Sequence, residues 1–189
     1  MIIAGVDECG RGPLAGPVVA AAVILPGTCH IHDLTDSKKL SAKKRAILEP
    51  TIKDQSIAWA ISQVEAQQID QINILQASLL AMKRAIFKLD FQPEKALIDG
   101  KFVPSNLSCS AQAVIKGDSK FNSISAASIL AKEFRDRLMC YYDQLYPEYG
   151  FASHKGYPTK AHLKALNRYG ITPIHRRSFS PVAKLLANV

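Results

Sequence analysis

Residues 3 to 17 read Ile3-Ala4-Gly5-Val6-Asp7-Glu8-Cys9-Gly10-Arg11-Gly12-Pro13-Leu14-Ala15-Gly16-Pro17, and the run Val18 to Leu25 follows at once. An apolar stretch ends on two adjacent carboxylates, turns through glycine and re-enters a valine-rich stretch. Gly10, Gly12 and Gly16 loosely imitate a dinucleotide fingerprint, but that fingerprint has to open a helix. Pro13, Pro17 and the valine-rich run specify a second strand instead, so the segment reads as a hairpin with strands at 2–8 and 17–25. On pattern alone an Asp-Glu pair before glycine is also an ordinary turn. Its residue types point further. Asp7 and Glu8 offer the hard oxygen ligands that Mg²⁺ and Mn²⁺ take, while Gly10, Arg11 and Gly12 let backbone N–H groups and a guanidinium approach an anion. A metal site touching a phosphate site implies cleavage or transfer at a phosphate.

Ser41 is placed to cap a helix ending near Pro50, and 57–64 reads as a third strand. Ile72, Leu75, Leu79, Met82 and Ile86 follow the three- and four-residue spacing of an amphipathic helix over 67–89. Two short β-like runs close on acids, 95–98 on Asp99-Gly100 and 110–115 on Gly117-Asp118, before a long helix over about 123–145. This order specifies an α/β domain with a mixed sheet flanked by helices and a helical C-terminal portion. Asp99 or Asp118 alone reads as a turn residue. If their strands adjoin the first, four acids meet at one sheet end, and their mutual repulsion calls for divalent cations. Neighbouring strand residues point to opposite faces, so the strand has to end or twist for Asp7 and Glu8 to serve one site.

A chain of 189 residues suits one domain with at most a small appendage. Although 48% of residues are apolar, no uncharged run reaches the roughly 18 needed to span a bilayer without Pro or Gly interruption. The N-terminal residues show no basic-then-apolar leader pattern, and a cytoplasmic protein is expected. Cysteines at 9, 29, 109 and 140 lack C-x-x-C spacing, which argues against a zinc ribbon or a disulfide framework. Cys29-His30-Ile31-His32 has no second ligand pair and reads as a polar loop. The net charge of +8 is concentrated at the C-terminal end. From Gly150 to Val189 stand Lys155, Lys160, Lys164, Arg168, Arg176, Arg177 and Lys184, with three histidines and no acid. Such a stretch is drawn to a polyanion and favours nucleic acid over a merely solvated face. It is expected to fold as a helical lobe, since Phe179, Val182, Leu185 and Leu186 can pack, giving a catalytic core over 1–145 and a basic lobe over 146–189.

The segments Gly5 to Val19, Asp36-Ser37-Lys38-Lys39-Leu40-Ser41, Ile98-Asp99-Gly100, Gly117-Asp118-Ser119-Lys120, Ser125 to Lys132 and Ser153-His154-Lys155-Gly156-Tyr157-Pro158-Thr159 resemble those of ribonuclease HII, the type 2 ribonuclease H. They stand in that family's order and span almost the whole chain. The resemblance implies a ribonuclease H-like fold and endonucleolytic cleavage of RNA paired to DNA, including cleavage 5′ to a lone ribonucleotide in duplex DNA, leaving a 3′-hydroxyl and a 5′-phosphate. It puts the family's metal-binding carboxylates on Asp7, Glu8, Asp99 and Asp118, with Mg²⁺ or Mn²⁺ as cofactor, two ions when substrate is bound. It puts the turn that contacts the 2′-hydroxyl and adjoining phosphate on Gly10, Arg11 and Gly12, and the substrate-sensing tyrosine on Tyr157.

The chemistry of the residues agrees: two divalent ions can activate water and stabilise a leaving 3′-oxygen, so no protein nucleophile is required. A 2′-hydroxyl is a donor and acceptor within reach of glycine-turn amides. Tyr157 is on spacing alone equally a packed surface ring. Lys38, Lys39, Lys120, Lys132 and Lys155 are candidate phosphate contacts, Lys132 having the alternative of pairing with a nearby acid. His154 reads either as a phosphate contact or as a structural hydrogen-bonding group. Nothing before Ile2 resembles the added domain of type HIII enzymes, and the tail lacks the paired aromatics of a sliding-clamp peptide. A monomer is expected. Two other functions stay open: a DNA nuclease sharing sheet and acids, and a nucleic-acid-binding protein without catalysis.

Overall fold

The hairpin forms as β1 (Ile3–Cys9) and β2 (Val18–Ile24), antiparallel, with Asp7 opposite Ala21 and Glu8 opposite Ala20. The structure, a computed structural model, describes residues 1–27, 31–32, 34 and 39–187. β3 (Ala58–Val64) adds antiparallel to β2, while β4 (Lys95–Asp99) and β5 (Ser110–Val114) extend the sheet in parallel on the other side of β1. The resulting order is β3-β2-β1-β4-β5. Every residue of β2 is buried, which is why it lacks polar alternation: helices cover the sheet on both faces.

On one face α2 (Ala66–Phe87) packs Ile69, Ala77, Ala81 and Met82 against Ala4, Val6, Ala20 and Ala22. On the other, α3 (Asn122–Leu145) sets Ala126, Ala127, Ile129 and Leu130 against Val19, Ala21 and Val23, joined by Leu48 and Ile52 of α1 (Ala42–Gln55). β1 and α3 are in backbone contact at Gly5, where an added methyl would lie 2.2 Å from the Ser123 carbonyl carbon.

Two helices differ from their sequence expectation. Ser41 does cap α1, accepting from the Lys44 amide, but the helix continues through Pro50 to Gln55. Leu48 and Ile52 bury either side of the proline, and Lys53 pairs with Glu49 across it at 2.7 Å, so packing outweighs the lost backbone bond. α2 is kinked at Asn73, which has φ 67° and accepts the Gln76 amide on its side chain, recapping the second half.

The C-terminal part is helical as expected, with α4 (Phe151–His154), α5 (Lys160–Tyr169) and α6 (Ser180–Ala187). It closes over the segment between β1 and β2. Ala15 packs with Met139, Tyr149, Phe151 and Ala165, and Leu14 packs with Leu166 and Val182. Leu14 also donates to the Gly156 carbonyl and Gly16 to the Ile174 carbonyl, while Arg176 donates back to Leu14. No described helix is long and apolar enough to cross a membrane.

Candidate active site at the end of the first strand

Val6 pairs with Ile98 in parallel register, so the next residues, Asp7 and Asp99, stand side by side at one end of the sheet. Asp99 Oδ1 accepts the Gly117 amide at 2.6 Å, which ties Asp99 to the short 3₁₀ turn Gly117–Ser119 holding buried Asp118. Asp7 lies on the α3 face, where its carboxylate accepts a hydrogen bond from Ser128 and one from the Glu8 amide at 2.7 Å. Glu8 is on the opposite side of the pleat in register, yet both acids line one pocket of about 410 Å³, because β1 ends at Cys9 and Gly10 turns the chain.

Burial pushes the Asp7 carboxyl well above the ordinary carboxylate range, and the charges of Glu8 and Asp99 add to it. Burial also raises Glu8, with the Arg11 guanidinium 3.5 Å away opposing and Asp99 reinforcing. Glu8 Oε2 is buried with no hydrogen-bond partner. Among the described residues no three His, Cys, Asp or Glu side chains already form a finished metal cage. What converges is a set of oxygen donors that oppose one another's ionisation, one of them orphaned, and a hard divalent cation fits that set. Cys9 adds no nucleophile, since burial pushes its thiol up to about 12.

Two buried arginines that sequence spacing did not reveal hold the segment between β1 and β2, and one of them holds the glycine turn itself. Arg135 of α3 donates to the carbonyls of Ala15, Pro17 and Lys155 at 3.0, 3.0 and 2.9 Å. Arg176 donates to those of Gly16, Arg11 and Gly10 at 3.0, 2.8 and 2.5 Å. Gly10 has φ +86°, and a methyl there would stand 2.2 Å from Arg135 Nε, so only glycine fits. Arg176, grouped by sequence with the surface cations, is fully buried and bonded to this turn, not presented to a phosphate. Burial and the neighbouring Arg135 charge draw its guanidinium down to about 9, still charged at neutral pH. Arg176 sits in an acid-free basic stretch and Arg135 in a mixed-charge helix, so neither residue's charge pointed to its structural use. Ser128, likewise unassigned from spacing, comes to Asp7 only because α3 crosses β1.

Tyr157 is exposed and lines the same pocket, its ring 3.4 Å from where a Gly12 methyl would stand, so tyrosine and glycine turn adjoin. Lys39 and Lys120 are exposed, Lys120 ending the turn that holds Asp118; Lys38 lies outside the described residues. Lys155 has φ 51° and its amine donates to the Ala152 carbonyl, with Cys140 Sγ 3.6 Å away. Lys132 lines the pocket and pairs with Asp136 at 2.5 Å. Of the two readings of His154 the structural one fits: Nε2 bonds the Tyr149 carbonyl at 2.7 Å and Nδ1 accepts the Gly156 amide at 3.1 Å.

The ribonuclease HII family model matches residues 4–182, a span that contains these acids, the glycine turn and the tyrosine. The chain belongs to the ribonuclease HII family. It is 57% identical to a ribonuclease HII of Marinomonas sp. (strain MWYL1) over 98% of this chain and 93% of that one. The crystal structure of the ribonuclease H2 from Pyrococcus horikoshii OT3 superposes with a TM-score of 0.84 at 28% identity, covering 100% of this chain and 98% of that one. A Bst-RNase HIII crystallised in complex with Mn²⁺ shares the fold, with a TM-score of 0.77 at 19% identity over 100% of this chain and 70% of that one. Membership makes the protein a divalent-metal-dependent ribonuclease H, an endonuclease acting on RNA/DNA substrates.

Proposed function

We propose that this enzyme cleaves RNA in RNA/DNA hybrids and cuts 5′ to single ribonucleotides embedded in duplex DNA, leaving 3′-hydroxyl and 5′-phosphate ends. The observation that carries this reading is the meeting of the Asp7, Glu8 and Asp99 charges with a glycine turn that has Tyr157 packed against it. Asp7, Glu8, Asp99 and Asp118 would hold two ions, Mg²⁺ or Mn²⁺. When bound, these supply Lewis acidity toward a water nucleophile and charge neutralisation at the leaving 3′-oxygen. The chain's own groups position: Ser128 orients Asp7, the Gly117 amide orients Asp99, and Arg11 offsets negative charge beside Glu8. Amides of the Gly10-Arg11-Gly12 turn contact the ribonucleotide, and the Tyr157 ring stacks on the following sugar. Lys39 and Lys120, both exposed, serve as phosphate contacts in this reading.

Core 1–145 and lobe 146–189 work as one unit, since Arg135 of α3 and Arg176 of the lobe both bond the segment between β1 and β2. One chain contains every group the reading uses, so a monomer suffices. Removal of ribonucleotides from DNA in the cytoplasm is the corresponding role.

Three matched duplexes test this in Mg²⁺ or Mn²⁺: all DNA, one embedded ribonucleotide, and RNA/DNA hybrid. Cleavage of the last two is expected; cutting of the all-DNA duplex would favour a DNA nuclease. Tyr157→Ala should slow single-turnover cleavage at one ribonucleotide on the order of 100-fold, since a misplacement of about 1 Å carries that cost, with far less change in affinity. A change in affinity alone would remove the alignment role.

A further inference from the structure

Arg176 is fully buried and donates to three main-chain carbonyls, those of Gly10, Arg11 and Gly16. Asp70, the acid whose charge acts on it, spends its oxygens on the amides of Arg177 and Ser178 and on the Ser178 hydroxyl. A buried guanidinium spent on carbonyls carries a desolvation cost that an apolar side chain of similar volume would avoid. What it gains is geometric.

In a planar trans peptide the carbonyl of one residue and the N–H of the next point in opposite directions. Holding the Gly10 carbonyl therefore fixes the Arg11 N–H, and holding the Arg11 carbonyl fixes the Gly12 N–H, each directed away from Arg176. Arg11 and Gly12 line the pocket that also holds Asp7, Glu8 and Tyr157. We propose that Arg176 is a positioning residue for ribonucleotide recognition, which by holding the Gly10 and Arg11 carbonyls aims two backbone N–H donors at the bound ribose or its phosphate. This rests on the reading that the glycine turn contacts the ribonucleotide. The planar fork, with five donors, serves three carbonyls at once; a lysine ammonium keeps the charge without that fork.

Arg176→Lys separates charge from geometry. The folded variant should bind the one-ribonucleotide duplex within about threefold of wild type yet cleave it on the order of 100-fold more slowly in single turnover, as expected for misplaced positioning groups. Amide spectra of ¹⁵N-labelled protein without divalent ions give a second readout. In wild type the Arg11 and Gly12 signals should move more with the one-ribonucleotide duplex than with the matched all-DNA duplex, and in Arg176→Lys that difference should shrink. Should wild type show no ribose-dependent shift at either amide, the reading of the turn fails and the inference with it. If wild type shows the shift and Arg176→Lys retains both shift and rate, the positioning role alone is overturned. A variant that does not fold also overturns it, assigning the guanidinium to stability.

Discussion

At the scale of one residue, the proposed cation site rests most heavily on Asp7. Its carboxylate is buried beside Glu8 and Asp99, so its folded pKa lies above the ordinary 3.8. In the metal-free protein the folded state therefore holds its proton at pH values where the unfolded chain has released it. Stability falls as pH rises from about that value through the raised one, the reverse of the usual carboxylate behaviour. Asp7→Asn should accordingly melt above wild type in chelator at pH 7 to 8, lose cleavage, and gain less than wild type from added Mn²⁺, which stabilises only by binding the folded state. Calorimetry with and without metal, paired with a cleavage assay, checks this; an Asn variant that cleaves normally removes Asp7 from the site. Asp7 and Glu8 were legible as neighbours in sequence. Ser128, which bonds Asp7, was not, because a serine in an apolar helix carries no mark of what crosses it.

Among the elements, α5 and the segment after it form a relay whose protons can be placed from the acceptors. His162 Nδ1 faces the Tyr157 carbonyl at 2.9 Å, so it carries the hydrogen and Nε2 must accept. His175 Nε2, 3.1 Å away, then donates, and its Nδ1 accepts the Thr172 amide and hydroxyl, each at 2.9 Å. Both rings are neutral in this pattern; a proton on His162 Nε2 would set two hydrogens against each other. Burial lowers both histidines, His175 to about 4 from 6.5, and repulsion between the two rings once His162 is protonated adds to it. Because the unfolded chain takes up protons first, stability present above about pH 6.5 is lost as pH falls toward 4, on the order of 3 kcal/mol for His175. Asp7 and Glu8 act in the opposite sense at low pH, so imidazole resonances, not melting temperature, are the measurement. Both rings should titrate below 6.5, with slowed exchange at the Tyr157 segment lost in step; a titration at 6.5 would refute the relay. Sequence periodicity located the helices, but Pro50 and Asn73 show its limit: buried Leu48 and Ile52 carry α1 past a proline, and a side-chain cap restarts α2 after a kink.

For the whole molecule, the acid-free stretch from Gly150 onward divides into two populations. Lys160, Lys164, Arg168 and Arg177 are exposed, whereas Arg176 is consumed inside. Replacing an exposed cation that touches phosphate by alanine should weaken binding to all duplexes alike and reduce the magnitude of the salt slope by about one, whereas a non-contacting cation should leave it unchanged. Equilibrium binding across a salt series for Lys160→Ala, Lys164→Ala and Arg177→Ala decides, and unchanged slopes in all three would assign these charges to solubility. The sequence by itself determined the hairpin, the mixed sheet and the helical C-terminal part, because apolar runs, helical spacing and proline placement are local properties of a chain. It also marked Asp7, Glu8 and the glycine turn as candidates by residue type, while Tyr157 was singled out only by the family resemblance. Only the tertiary structure decided that Asp99 stands beside Asp7, that Tyr157 packs on Gly12, and that two arginines spend their charge on carbonyls of the segment joining β1 to β2. Those depend on strand register and on a lobe folding back across more than a hundred residues, and a buried donor finds its acceptors through the fold rather than through its neighbours in sequence.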